Sequence, residues 1–199
     1  MKISSIKTQN FGSRAKIIRD LDDINRKFMR KFVDVPSPSK IMTRIDVFHN
    51  RDLDKYIPYS WRNMCKKYLE KIKIMRADLD ETPNPSEIYR IVKKHKVANC
   101  GELTDILEAY LKKKGYKTTK VNLIIRSSGT TKRRAKDHCF ILVNPKKKFD
   151  YYDPSSWGSK SAIVDPWLGF VGRKEEAIEK FYSFFDLHDD EFIIFTRAK

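Results

Sequence analysis

The apolar residues of this chain change their period about half-way along it, and that change limits the fold more than any other feature. Up to about residue 115 they recur at helical spacing. Ile17, Ile18, Leu21, Ile24, Phe28 and Phe32 predict a helix over 14–33. Ile57, Trp61, Met64, Cys65, Tyr68, Leu69 and Ile72 form an apolar stripe that predicts a second over 54–77. Leu103, Ile106, Leu107, Tyr110 and Leu111 predict a third over 100–114. Between these lies a short helix that Ser86 can cap and that runs to about 95. Lys113-Lys114-Gly115 reads as a helix C-terminus with glycine in the left-handed position. Strand-like segments follow at 118–126, 137–144, 149–152 and 162–165. A helix near 173–185 and a strand over 191–196 close the chain. Helices first and strands afterwards predict an α+β fold.

Two proline-rich breakers, VPSPSK at 35–40 and TPNPSE at 82–87, punctuate the helical half. Residues 1–13 read as a flexible leader. The expected organisation is a leader plus N-terminal helix over 1–35 and one folded domain over 36–199, a length that can bury a single sizeable core. No apolar run approaches the roughly 20 residues that span a bilayer. The polar stretch from Met1 to Asn10 lacks the apolar segment of a Sec signal peptide. A soluble protein is expected.

Charge points to an anionic partner. The 42 Lys+Arg exceed the 26 Asp+Glu, for a net +16. From Lys112 to Lys148 there are 13 basic residues against one acid, Asp137, with clusters at 112–114, 132–136 and 146–148. Such a surface attracts an acidic protein face, an anionic membrane or nucleic acid. No named nucleic-acid motif accompanies it, although aromatic and basic neighbours such as Lys148-Phe149 could stack on bases. A Lys-rich solvated surface accounts for the same pattern.

Three cysteines, widely spaced and without a CxxC pair, do not predict a disulfide framework, a structural zinc site or any other metal or cofactor site. Cys65 falls on a helical apolar stripe and reads as core. Cys139, in DHCFILVN, shares one strand face with Ile141 and Val143, while His138, Phe140 and Leu142 take the other. Cys139 therefore faces away from His138 and also reads as core. Cys100 opens an apolar-periodic helix in VANCGELTDIL. The unpaired N–H groups and positive dipole end there favour thiolate, the nucleophilic form. Glu102 and Asp105 oppose that ionisation, so a histidine partner is needed.

His95 lies in a basic KKHK run and reads as exposed, and His49 and His188 lie in polar surroundings. His138 opens a strand that is apolar on both faces, which describes a central buried strand. Such a histidine either serves as a base or is satisfied in the core. A base needs a third group to fix its tautomer. Asp153 and Asp165 each precede a proline at the end of a strand-like segment, and either can be a turn-forming residue instead.

NCGEL, DHCFILVN and SSWGSKSAIVDPWLGF, taken together in that order, resemble the papain/transglutaminase-like thiol hydrolases of bacterial effectors and toxins. The resemblance spans about 97–170. It implies helices, one of them opened by the cysteine, packed on an antiparallel sheet. It implies Cys100 as nucleophile, His138 as general base and acid, and Asp165 as orienting carboxylate. A simple hairpin through NPKKK would bring back Asp153 instead. The activity implied is amide hydrolysis or acyl transfer on a protein substrate through a thioester, as in glutamine deamidases, proteases and transglutaminases. It also implies delivery by a bacterium into a host cell, with a host protein as substrate. The upstream glutamine that papain-like enzymes use for the oxyanion has no counterpart, since the one glutamine is Gln9. The Cys100 N–H, with Asn99 or Asn84, is the candidate replacement. A basic binding module without catalysis is the competing reading.

Overall fold

Helical and alternating periods resolve into a helical half and a sheet. The computed structural model describes residues 14–32, 59–127, 136–185, 187 and 191–198. The 1–13 leader, the boundary at 35–36, Gln9, His49, His188 and most of the 132–136 basic cluster lie outside the described residues, as does the side chain of Cys65.

Among the described residues are five α-helices: α1 (Arg14–Arg30), α2 (Tyr59–Ala77), α3 (Pro85–His95), α4 (Cys100–Lys113) and α5 (Lys174–Phe185). The strands are β1 (Thr118–Ser127), β2 (Lys136–Val143), β3 (Ala162–Asp165), β4 (Phe170–Gly172) and β5 (Glu191–Arg197). They form one antiparallel sheet in the order β4-β3-β2-β1-β5. The fold is α+β. No helix among the described residues is long and apolar enough to cross a membrane.

β2 is the middle strand, and every residue from His138 to Val143 is buried. Its alternation splits the core in two. Ile141 and Val143 join α1, α2, α3 and α4 through Leu21, Met75, Val92, Leu103 and Leu107. Phe140 and Leu142 join Val121, Leu123, Trp157 and α5 through Ala177, Phe181 and Phe185. Each large apolar side chain fully buried in this way contributes about 1.5–3 kcal/mol. With both of its faces covered, β2 is therefore held firmly in place at the centre of the domain.

Local signals set the boundaries. α4 ends in a Schellman arrangement: Gly115 has φ 87°, its N–H donates to Lys112 O at 3.0 Å, and Tyr116 N–H donates to Leu111 O at 3.1 Å. α3 is capped by Asn84 rather than Ser86, because Asn84 Oδ1 accepts from Ser86 N at 3.0 Å and Glu87 N at 3.1 Å, with Pro85 in the first turn. The strand expected at 149–152 does not form. Asp150 N donates to Ser156 Oγ at 2.8 Å and Tyr152 N to Asp150 Oδ1 at 2.9 Å. These side chains satisfy the backbone locally and lead into a 3₁₀ turn over Pro154–Trp157.

Candidate active site

Asn99 and Glu102 fix where Cys100 sits. Asn99 is the N-cap of α4, and its Oδ1 accepts from Cys100 N at 2.9 Å. Glu102 answers by accepting from Asn99 N at 2.8 Å, which completes a capping box. Two side chains of α2 hold the same turn. The Tyr68 hydroxyl donates to Ala98 O, and Arg76 Nε donates to Glu102 Oε1 at 2.7 Å. Tyr68 is itself buried, and desolvation with the nearby Glu102 carboxylate pushes its ionisation well above the ordinary tyrosine range. It is therefore a neutral donor.

The two acids expected to oppose thiolate formation are both paired. Glu102 faces Arg76, and Asp105 binds Lys120. Each acid therefore has a cation beside it that offsets part of its charge.

Asp165 is the carboxylate that meets His138. In the β2–β3 register Ile141 faces Val164 and Leu142 faces Ile163, so one further step sets Asp165 opposite Phe140. His138 lies two residues along on the same face, within diagonal reach. His138 Nε2 is 2.6 Å from Asp165 Oδ2, and both side chains are almost fully buried. The other carboxylate oxygen, Oδ1, accepts from Trp167 N at 3.0 Å and Leu168 N at 2.9 Å. The carboxylate is thus fixed from both sides. The imidazole is packed among Trp167, Phe185 and Phe181, with ring centroids at 5.1, 5.7 and 6.0 Å. Asp153 is exposed and caps the 3₁₀ turn instead, accepting from Ser155 N at 2.9 Å and Ser155 Oγ at 2.8 Å.

Cys100 and His138 are close enough for each to shift the other's ionisation. The Cys100 thiol is brought down to about 5. Its largest cause is the neighbouring Cys139 thiol, followed, against the cost of burial, by the polar contact and charge of His138. Burial disfavours a charged His138, yet the Asp165 carboxylate and the Cys100 sulfur outweigh it and raise the ring to about 10. Between those values the pair is thiolate and imidazolium. Cys139 is pushed strongly upward by Cys100 and by burial, so it stays a thiol.

Cys139 has the strand face read from the sequence, turned away from His138, but that face is the one α4 covers. Thr104, one turn beyond Cys100, donates from Oγ1 to Cys139 O at 3.3 Å and lies 3.6 Å from Cys139 Sγ. The sequence signal for α4 covering this face is absent, because alternation alone does not say which helix lies above a strand. The Asn99-x-x-Glu102 capping pattern, by contrast, is legible at sequence level.

The Cys100 N–H considered for the oxyanion is already given to a side-chain acceptor, and the oxygens of both asparagines serve as helix caps. Asn84 caps α3, and Asn99 occupies the Cys100 N–H with its oxygen. His95, expected to be exposed, is largely covered and lies 2.7 Å from Asp78 Oδ2. Of the basic clusters, Lys112–Lys114 lie exposed at the far end of α4 and Lys146–Lys148 are exposed after β2.

No protein-family model, no curated protein and no solved structure matches this chain.

Proposed function

We propose that this protein is a cysteine-dependent amide hydrolase or acyltransferase with a papain/transglutaminase-like core, acting on a protein substrate. The reaction favoured is deamidation of a glutamine side chain. The observation that carries the reading is His138, buried, with Nε2 on Asp165 and the Cys100 sulfur as its second partner. A core histidine can be satisfied by any ordinary hydrogen-bond partners. This ring has a carboxylate on one side and an activated thiol on the other, which is the arrangement nucleophilic catalysis requires.

In this mechanism the Cys100 thiolate attacks the amide carbon, and the carbonyl electrons move onto oxygen. As the tetrahedral species collapses, His138 gives its proton to the departing nitrogen, and ammonia leaves a thioester on Cys100. A water molecule then gives a proton to His138 and attacks the thioester. The products are a glutamate side chain and the restored ion pair. Asp165 stays ionised throughout and holds the ring in one tautomer. If an amine resolved the thioester, the same steps would give a transglutaminase; if the amide were a peptide bond, a protease.

Lys146–Lys148 are exposed beyond the Val143 end of β2, the end away from His138, and suit contact with an acidic face of the substrate outside the cleft. The resemblance to effector and toxin enzymes makes a host protein the substrate class and a bacterium the source. The test is ammonia release, with a mass increase of about 1 Da on the substrate, from candidate host proteins. Cys100→Ala, shown to be folded by circular dichroism, must abolish both. A fully active Cys100→Ala chain would remove the reading.

A further inference from the structure

Cys139 has no part in the steps above, yet it lies under the helix that the nucleophile opens. β2 places it under the first turns of α4, where Thr104, one turn beyond Cys100, donates to its carbonyl at 3.3 Å and accepts from its S–H at 3.6 Å, and the two thiols shift each other's ionisation. Two thiols on facing elements, one opening the helix and partly solvent-accessible and the other buried in the strand beneath it, have the parts of a peroxide-reactive couple: an attacking thiolate and a resolving thiol.

We propose that Cys100 and Cys139 form a reversible disulfide under peroxide, which switches the active site off and protects the nucleophile from irreversible oxidation. The inference rests on the activated thiol of the proposed function. In the first step the Cys100 thiolate attacks one oxygen of hydrogen peroxide. The S–O bond forms as the O–O bond breaks, and the departing hydroxide takes the His138 proton and leaves as water. Sulfur is oxidised by two electrons and peroxide is reduced. In the second step the Cys139 sulfur attacks the Cys100 sulfenic acid. The S–S bond forms, the S–O bond breaks, and the hydroxyl leaves as water with the Cys139 proton. An external dithiol restores both thiols by exchange. Burial of Cys139 fits the role: it is shielded from bulk oxidant and meets only the sulfenic acid beside it.

The three cysteines fall in separate tryptic peptides, 63–66, 97–112 and 137–146, so each linkage is distinguishable. The full-length chain is treated with graded hydrogen peroxide, quenched with iodoacetamide and mapped by mass spectrometry without reduction. The rate of Cys100 alkylation near pH 6 is measured on the untreated sample. The expected result is a 97–112 to 137–146 cross-link that dithiothreitol removes, with activated Cys100 in the untreated chain. In Cys139→Ser, folded by circular dichroism, that link is lost and Cys100 sulfinic acid accumulates several-fold faster. Fast alkylation of Cys100 together with sulfinic acid and no cross-link in the wild-type chain overturns the disulfide while leaving the proposed function in place. Slow alkylation and no cross-link overturns both. Cross-linking of Cys100 to the 63–66 peptide overturns the assignment of Cys139.

Discussion

Asp165 occupies the Nε2 side of His138 at 2.6 Å with both side chains buried, and so commits the ring's other nitrogen to the side of Cys100. Asp165→Asn keeps the shape and removes the charge. The ring loses its counter-ion and can settle in the wrong tautomer. Turnover should fall by roughly 10²–10⁴-fold, and alkylation of Cys100 near pH 6 should slow alongside it. An unchanged alkylation rate would mean that Asp165 does not act through His138. Asp153→Asn, at the exposed cap, should leave both rates within about two-fold, since surface changes of this kind are small.

The pH dependence follows from the two opposed shifts. Cys100 ionises at about 5 in the folded chain against 9.0 unfolded, so its contribution to stability is full above the unfolded value and is lost as pH falls through 5. His138 protonates at about 10 folded against 6.5 unfolded, so its contribution is full below 6.5 and is lost as pH rises through 10. From 5 to 6.5 only Cys100 differs between the states, and stability should rise with pH. From 6.5 to 9.0 the two opposite proton differences cancel. Above 9.0 the His138 difference is left and stability should fall. Chemical denaturation of wild type and Cys100→Ser across this range should show the plateau only in the wild type. Activity should be bell-shaped with limbs near 5 and 10. A single acidic limb near 9 for alkylation would contradict the ion pair.

Arg76 acts on Cys100 through Glu102. Removing it by Arg76→Ala leaves a nearly buried carboxylate in the first turn of α4 without its counter-charge. The thiolate should be disfavoured and alkylation near pH 6 slowed by about 2–5-fold. Because Arg76 is about half exposed, the stability cost should stay near or below about 1 kcal/mol. A stability loss without any change in Cys100 reactivity would make the pair structural only.

Tyr68 ties α2 to Ala98, two residues before the nucleophile. Tyr68→Phe removes the hydroxyl and leaves the Ala98 carbonyl short of a partner in a buried place. The expected cost is about 1–2 kcal/mol in a denaturation midpoint. The loop that presents Cys100 should loosen, lowering turnover more than it raises the substrate KM. Hydrogen exchange over 97–101 should quicken in the same variant. Unaltered exchange there would contradict the tether.

Much of this arrangement was legible because it depends on local period. The five-residue apolar run after His138 required a strand covered on both faces, and β2 is that strand. The loop-to-helix junction at Cys100 was visible in the apolar spacing that follows it. The choice between Asp153 and Asp165 was not legible from geometry. It depends on the β2–β3 register, and on Asp150 and Ser156 turning 149–152 into a local loop that a strand count mistakes for a hairpin arm. The proximity of Cys139 to Cys100 depends on which helix lies over one face of the sheet, a long-range choice that alternation does not encode. The roles of Tyr68 and Arg76 were hidden for the same reason: both look like ordinary residues of a helix whose partner is not written locally.

The central claim is that Cys100 is a thiolate held by His138. The most direct measurement is site-resolved alkylation of the native chain with limiting iodoacetamide near pH 6, in wild type and in His138→Ala. Labelling is read on the tryptic peptides that carry Cys100, Cys139 and Cys65. The account predicts that Cys100 labels first in the wild type, well ahead of buried Cys139, and loses that lead when the histidine is removed. Equal or faster labelling of Cys100 in His138→Ala would contradict it.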